Sequence, residues 1–160
     1  LDVIVGFPGI VLGVSIVLVI GTGWLSLVLA IAISSLPTFG RLSRATMLSQ
    51  SQREYVTAAR TLGVSRIRVV LRHILPNAMS SSLSQIPFML TANIIALTAL
   101  DFLGYGLPAD AASLGELLLQ GKNNLDAPWL VLSGFFTLAI VLSLLIYIGE
   151  AARDAFDPRR

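Results

Sequence analysis

Four apolar runs divide the chain, over residues 3–20, 23–39, 78–100 and 129–148, and the second and third flank its one long hydrophilic stretch, residues 41–76. Each run approaches the roughly 20 residues a transmembrane helix needs. Only Gly21-Thr22-Gly23 separates the first two, which predicts a helical hairpin. Pro8 and Pro37 lie near its open ends, where loss of a backbone donor costs least, and Trp24 lies at the turn, where an indole suits a headgroup layer. Neither helix has a polar face to give to water, which argues against a soluble bundle. The third run is the most polar, with Ser80, Ser81, Ser82, Ser84, Gln85, Thr91, Asn93 and Thr98, and Pro87 predicts a kink in it. Polar groups inside a membrane face a bundle interior or a wet cavity. Ser84, Gln85, Thr91 and Asn93 are therefore candidates to line a translocation path, and helix–helix hydrogen bonding is the other reading of the same residues.

The hydrophilic stretch reads as two short amphipathic helices joined at a glycine, a docking element between membrane spans. Tyr55, Ala58, Ala59 and Leu62 fall at i, i+3, i+4 and i+7 on one helical face. Gly63 stands where a helix ends in a left-handed residue, and Ser65 is placed to cap the next one. Ile67, Val70, Leu71 and Ile74 repeat the spacing, with Arg66, Arg68 and Arg72 mostly off that stripe. Pro76 is expected to end the second helix, because proline disfavours helical geometry in the residue before it.

Composition sharpens the membrane reading. Apolar residues make up 55% and charged residues 12% of the chain, against about 25% charged in soluble domains, and mean hydropathy is +0.83. The distribution of charge sets an expected orientation. Residues 41–76 and the tail 149–160 hold ten of the eleven lysines and arginines, whereas the loop 101–128 carries four acids against Lys122. Basic flanks stay in the cytoplasm. Four spans then place 41–76 and the tail inside, and the hairpin turn and the acidic loop outside. Within that loop Ser113 is positioned to cap a short helix through Gln120, with Leu114, Leu117 and Leu118 along one edge. The chain starts at Leu1 in apolar sequence without an initiator Met, and is read as lacking an upstream part.

The docking stretch also carries a resemblance. Thr57-Ala58-Ala59, then Gly63, then Leu75-Pro76 resembles the EAA motif of bacterial ABC-importer permeases, with Thr57 in the glutamate place and His73 in the first isoleucine place. Its surroundings, Glu54-Tyr55-Val56 and Ala59-Arg60 through Arg72-His73-Ile74-Leu75-Pro76-Asn77, are similar to the dipeptide/oligopeptide branch. Asp101-Phe102-Leu103-Gly104, Ser113-Leu114-Gly115-Glu116 and Arg153-Asp154-Ala155-Phe156-Asp157-Pro158 extend the likeness to essentially the whole chain, nearest to the branch importing microcin C and related peptides. The resemblance implies an all-α, polytopic membrane protein with the MetI-like type I ABC-importer permease core, four transmembrane helices and a cytoplasmic coupling loop. It implies that Tyr55, Thr57, Ala58, Ala59, Arg60, Gly63, Leu75 and Pro76 couple the permease to its ATPases. The implied partners are a paralogous permease in a heterodimer, two ABC ATPases, an extracytoplasmic substrate-binding protein, a peptide substrate and the lipid of a bacterial cytoplasmic membrane.

Other chemistries are poorly served. No P-loop is present: Lys122 is the sole lysine, and neither Glu116, five residues before Gly121, nor Asn123 suits G-x-x-x-x-G-K-[ST]. This chain is expected to bind no cofactor and to perform no catalysis, with ATP on partner subunits. Without cysteine and with one histidine, His73, which reads as structural, it offers no thiolate and no histidine-rich metal site. Ala58-Ala59-Arg60 through Ser65-Arg66 could open a DNA-binding helix-turn-helix, but that needs a third helix and a free reading face, so nucleic acid is not expected. An ion-coupled secondary transporter or channel subunit is the alternative, and it calls for carboxylates within the spans. The acidic residues sit at span ends and in loops.

Overall fold

Gly9–Ile20 forms α1 behind Pro8, which occupies the N-cap position, and Trp24–Ser51 forms α2. Between them Gly21 closes α1 by donating its N–H to the Val17 carbonyl at 2.8 Å. The hairpin is closed further along by Ser34 Oγ, which donates to the Gly9 carbonyl at 3.3 Å. These coordinates are a computed structural model that describes residues 6–108 and 111–156. The start of the first apolar run at 3–5, Asp110 and the tail residues 157–160 lie outside the described residues, as do the side chains of Ser80, Ser81 and Phe156.

The remaining elements are α3, Glu54–Thr61; α4, Arg66–Val69; a π-helical segment, Val70–Ile74; α5, Leu75–Leu83; α6, Ile86–Phe102; α7, Leu114–Asn123; and α8, Pro128–Phe156. No strand occurs among the described residues, so the all-α expectation holds. Two helices, Trp24–Ser51 and Pro128–Ala155, are long and apolar enough to cross a membrane, and Gly9–Ile20 and Ile86–Phe102 are shorter apolar helices.

Helix lengths depart from the sequence reading near the prolines. Pro37 is inside α2, which runs on through Arg41 and Arg44 to Ser51. A proline mid-helix forfeits one hydrogen bond and costs about 3 kcal/mol. Ending the helix would forfeit the fourteen residues beyond it, and extending a formed helix is far easier than nucleating another. Pro76 likewise does not end its helix: α5 continues directly from the π-helical segment through it, and the wider winding just before it leaves room for the proline ring. The third apolar run does break, one turn from Pro87, at Ser84 and Gln85, with Gln85 N–H donating to the Ser82 carbonyl at 3.1 Å. At the other end α8 carries the tail as helix to Phe156.

The chain divides into two compact units, Leu1–Pro37 with Phe88–Ile146, and Thr38–Pro87 with Tyr147–Arg160. In the first, Val17, Leu27, Ala30 and Leu100 form the core, with Val14, Ile16, Leu97, Tyr105 and Leu107 packed against it. Gly13 of α1 faces Leu100 and Ala30, which a Cβ there would meet at ordinary contact distances of 3.4 and 4.0 Å. The loop after α6 folds back on the buried Asp101, whose Oδ1 accepts the Leu107 N–H at 2.8 Å. Ser113 caps α7 as expected, accepting the Glu116 N–H at 3.0 Å. Lys122 near the end of α7 places its ammonium 5.3 Å from the Phe102 ring centre.

In the second unit Val56, Ala59, Val69 and Ile74 build a small separate core, with Met47 and Val64 against it. A short helix of eight residues is marginal alone, so α3 depends on this core. Its ends are matched to its dipole by Glu54 in the first turn and Arg60 in the last.

Candidate functional site

The turn after α3 is built as the sequence predicts. Gly63 has φ +75°, its N–H donates to the Arg60 carbonyl at 3.0 Å, and the Val64 N–H donates to the Ala59 carbonyl at 3.1 Å. That pair of bonds is a Schellman closure, which requires a left-handed residue at the Gly63 position. Ser65 does stand at the N-cap of α4, but its side chain makes no capping bond there. The first expectation is met by backbone geometry alone; the second is met only in position.

The faces are distributed differently from the periodicity. On α3 the buried residues are Val56 and Ala59, whereas Tyr55, Ala58 and Leu62 are exposed. The stripe picked out from the sequence is thus mainly the outer face, and only Ala59 of the four turns inward. Beyond Gly63 the buried pair is Val69 and Ile74, at 1% and 4% exposure, while Ile67 and Leu71 are 74% and 59% exposed. The expected stripe of Ile67, Val70, Leu71 and Ile74 therefore fails except at Ile74. The cause is the π-helical segment: the Leu75 N–H reaches back five residues to the Val70 carbonyl, which brings side chains five apart onto one face. A straight α-helix turns about 100° per residue and would set Val69 and Ile74 about 140° apart.

The outer face of α3 has a defined shape. Gln52, Glu54, Thr57, Ala58, Thr61 and Leu62 line an open hollow of about 500 Å³. Thr57 and Ala58 are site candidates from the sequence and Gln52, Glu54, Thr61 and Leu62 are not; a spacing of three or four residues from Thr57 or Ala58 marks Glu54, Thr61 and Leu62, whereas Gln52, just before α3, carries no such signal. Glu54 stands one turn before Thr57, so a carboxylate borders the position where the motif has threonine instead of glutamate. Arg60 is exposed, one residue past the core alanine. Tyr55 ties the element together, its Oη lying 3.0 Å from Gln50 Oε1 on α2 and 3.4 Å from the His73 carbonyl. Asn77 Nδ2 donates to the same carbonyl at 2.7 Å. Leu75 and Pro76 open α5 directly after the π-helical segment.

The four path-lining candidates do not share one setting. Ser84 and Gln85 occupy the break between α5 and α6, and Ser84 is buried. Thr91 is half-buried on α6. Asn93 accepts a hydrogen bond from Ser35 Oγ of α2 at 2.8 Å, a bond of the kind that joins helices. A double-mutant cycle of Ser35→Ala and Asn93→Ala is expected to give a coupling of about 0.6 kcal/mol, the typical worth of such a bond, read from thermal unfolding in detergent. Strict additivity would show that the two side chains do not meet.

Among the described residues no cluster of His, Asp or Glu could hold a metal ion. The chain matches over residues 1–160 the model of a family described as "Binding-protein-dependent transport system inner membrane component". It is 56% identical over 122 residues to the peptidoglycan transport system permease protein YejE of Agrobacterium fabrum, covering 76% of this chain and 32% of that protein. It is 53% identical to the inner membrane ABC transporter permease protein YejE of Escherichia coli, covering 86% and 37% of the two chains. The di/tripeptide transport system permease protein DppC of Pseudomonas aeruginosa is 34% identical over 99% of this chain and 53% of its own length. The chain thus spans about a third to a half of the relatives it matches. With apolar helices of membrane-crossing length and a family match from end to end, this chain belongs to the inner-membrane components of binding-protein-dependent transport systems.

Proposed function

We propose that this chain is the membrane-spanning part of a permease subunit of an ABC transporter that imports peptides or peptide-like compounds. ATP would be bound and hydrolysed by two partner ATPases, and the chain itself would bind no cofactor and catalyse nothing. A paralogous permease would complete the path, and an extracytoplasmic binding protein would deliver the substrate. The observation that carries this reading is the outer face of α3, where small and apolar side chains stay exposed on a helix held firmly from behind. Ala58 and Leu62 face outward beside the hollow, while Val56 and Ala59 anchor the helix to its own core. A surface that transmits motion needs both an exposed contact side and a rigid attachment.

Four membrane spans, with 41–76 and the tail on the cytoplasmic side of a bacterial inner membrane, are part of the same proposal. The charge distribution supports that orientation. Along α8 the side chains of Trp129, Phe135, Phe136, Ile140, Leu144 and Tyr147 are exposed, as a surface for lipid or a second permease would be. The break at Ser84 and Gln85 suits a path, since irregular backbone at membrane depth is tolerated where it lines a cavity or is buried in protein. Peptide as the substrate class is supported by the names of the relatives, two of which are permeases for di/tripeptides or peptidoglycan. An ion-coupled transporter gains no such support, and the buried Asp101 carboxylate is already engaged by the Leu107 N–H.

Co-purification tests the reading. The full-length permease is expressed with its partner permease and candidate ATPases, and ATPase retention on the tagged permease is measured. Stoichiometric retention with peptide-stimulated hydrolysis is the expected result. No retention, under conditions that preserve a known importer complex, overturns it.

A further inference from the structure

The π-helical segment is unusual in what it leaves exposed. Val69 and Ile74 are buried together only because Val70–Ile74 is wound one residue wider than an α-helix. If Val69 stayed inward and the segment were α-helical, Arg72 and His73 would come round to the core face, three and four residues on. That arrangement would bury a guanidinium against Val56 and Ala59, so the sequence disfavours it. A second α-helical register is well provided for. With Ile74 inward, an α-helix would turn Ile67, Val70 and Leu71 to the core and turn Val69 out, with Arg66, Arg68 and Arg72 still largely in water. This is the apolar stripe that the sequence spells out.

One stretch of sequence therefore has two apolar solutions that keep its arginines solvated. The wide register buries Val69 and presents Ile67 and Leu71; the α register buries Ile67, Val70 and Leu71 and presents Val69. Pro76 favours the first, because in a regular α-helix its ring meets the carbonyl of Arg72, four residues back, and the wider turn opens that space. Interior packing favours discrete arrangements over continuous deformation, so such an element has two states rather than a range.

We propose that Val70–Ile74 is a register switch, which passes between the π and the α winding as the transporter works. Switching would rotate Arg66–Val69 by roughly the turn of one residue, about 100°, relative to Leu75 and α5. It would thereby change the surface next to α3 that faces a partner. The proposal rests on the docking reading of α3 and gives that site its regulation: the π register is the resting state, and engagement of a nucleotide-loaded ATPase draws the segment into the α register.

Disulfide cross-linking in the assembled full-length transporter tests this, in lipid nanodiscs and in a background from which any other cysteine has been removed. Two pairs are compared, Val56→Cys with Val69→Cys for the π register, and Val56→Cys with Val70→Cys for the α register. Without nucleotide the 56–69 pair is expected to dominate. With a non-hydrolysable ATP analogue the 56–70 pair is expected to rise several-fold at the expense of 56–69. Unchanged yields of both pairs in the two states, with ATPases retained, overturn the switch and leave docking intact. Loss of ATPases from the unmutated complex overturns docking instead. Deleting Arg72 provides a second measurement, because it converts the π turn to α while keeping Val69 and Ile74 on one face. The deletion is expected to retain the ATPases and to abolish peptide-stimulated hydrolysis; a wild-type stimulated rate means that the wide turn is static.

Discussion

Replacing Ala58 with glutamate is expected to leave the permease in the membrane at its normal level and to strip it of its ATPases. Ala58 is exposed on the outer face of α3 and lines the hollow with Thr57, Thr61 and Leu62. A longer side chain there meets water in the free subunit, so the local fold has no reason to change, and surface substitutions of this kind shift stability by about 0.5 kcal/mol or less. In a complex the same carboxylate would be driven against a partner surface fitted to a methyl group and would lose its water. A charge desolvated without a partner costs several kcal/mol, far beyond the 1.4 kcal/mol that makes a tenfold loss of affinity. Retention of ATPase and peptide-stimulated hydrolysis should therefore fall at least tenfold. The neighbouring change, Ala59→Glu, should behave differently. Ala59 is buried with Val56, Val69 and Ile74, so glutamate there breaks the unit that carries the helix, and the yield of folded protein should drop. If Ala58→Glu retains its ATPases at wild-type stoichiometry, the outer face of α3 is not the contact surface. Equal yields for the two variants would show that α3 is not seated on the core as described.

The second large effect is expected at Gly115, in the other unit. It lies in the first turn of α7 against the end of α6, where a Cβ would stand 2.5 Å from the Thr98 carbonyl oxygen and would overlap the Asp101 Cβ. The Phe102 backbone nitrogen would be 3.0 Å away. Two of these three obstacles are backbone atoms of a helix and cannot rotate aside. Gly115→Ala must push α7 off α6 or tear the loop between them, which is held by Asp101 Oδ1 on the Leu107 N–H. Overpacking costs typically 1–3 kcal/mol when side chains can adjust, and occasionally more. Here the upper end applies, and the apparent melting temperature of the detergent-solubilised protein should fall by roughly 6–12 °C, taking about 2–4 °C per kcal/mol. An unchanged melting temperature would mean that α7 does not pack on α6 at this distance.

Much of the architecture was legible because its determinants are local. The hairpin turn between α1 and α2 follows from Gly21-Thr22-Gly23 between two apolar runs, and the ends of α3 and α7 follow from Gly63 and Ser113. In each case a residue and its immediate neighbours satisfy backbone groups that would otherwise be left without partners. Composition alone, with its few charges, pointed to a membrane protein, and the spacing from Thr57 to Pro76 pointed to a family. What misled were the prolines. Pro37 was expected only near the end of its span and Pro76 to stop its helix, but a proline penalty is a fixed local cost. It is overridden when the helix on its far side is long, as in α2, or when the winding widens just before it, as at Val70–Ile74.

The sequence by itself determined the class of protein, the helical runs, the glycine-closed turn after α3 and the set of residues from which a docking surface could be made. Those properties depend on composition and on interactions within a few residues along the chain. Tertiary structure decided which of those residues face outward. Ala58 and Ala59 are equivalent in the sequence pattern, and only the placement of Val56, Val69 and Ile74 around one core turns the first to solvent and the second inward. Asn93 could line a path or join helices, and Ser35, 58 residues away in sequence, gives it a helix-joining bond. Periodicity assumes one constant turn per residue, and a single wide turn between Val70 and Ile74 is enough to exchange the faces it predicts.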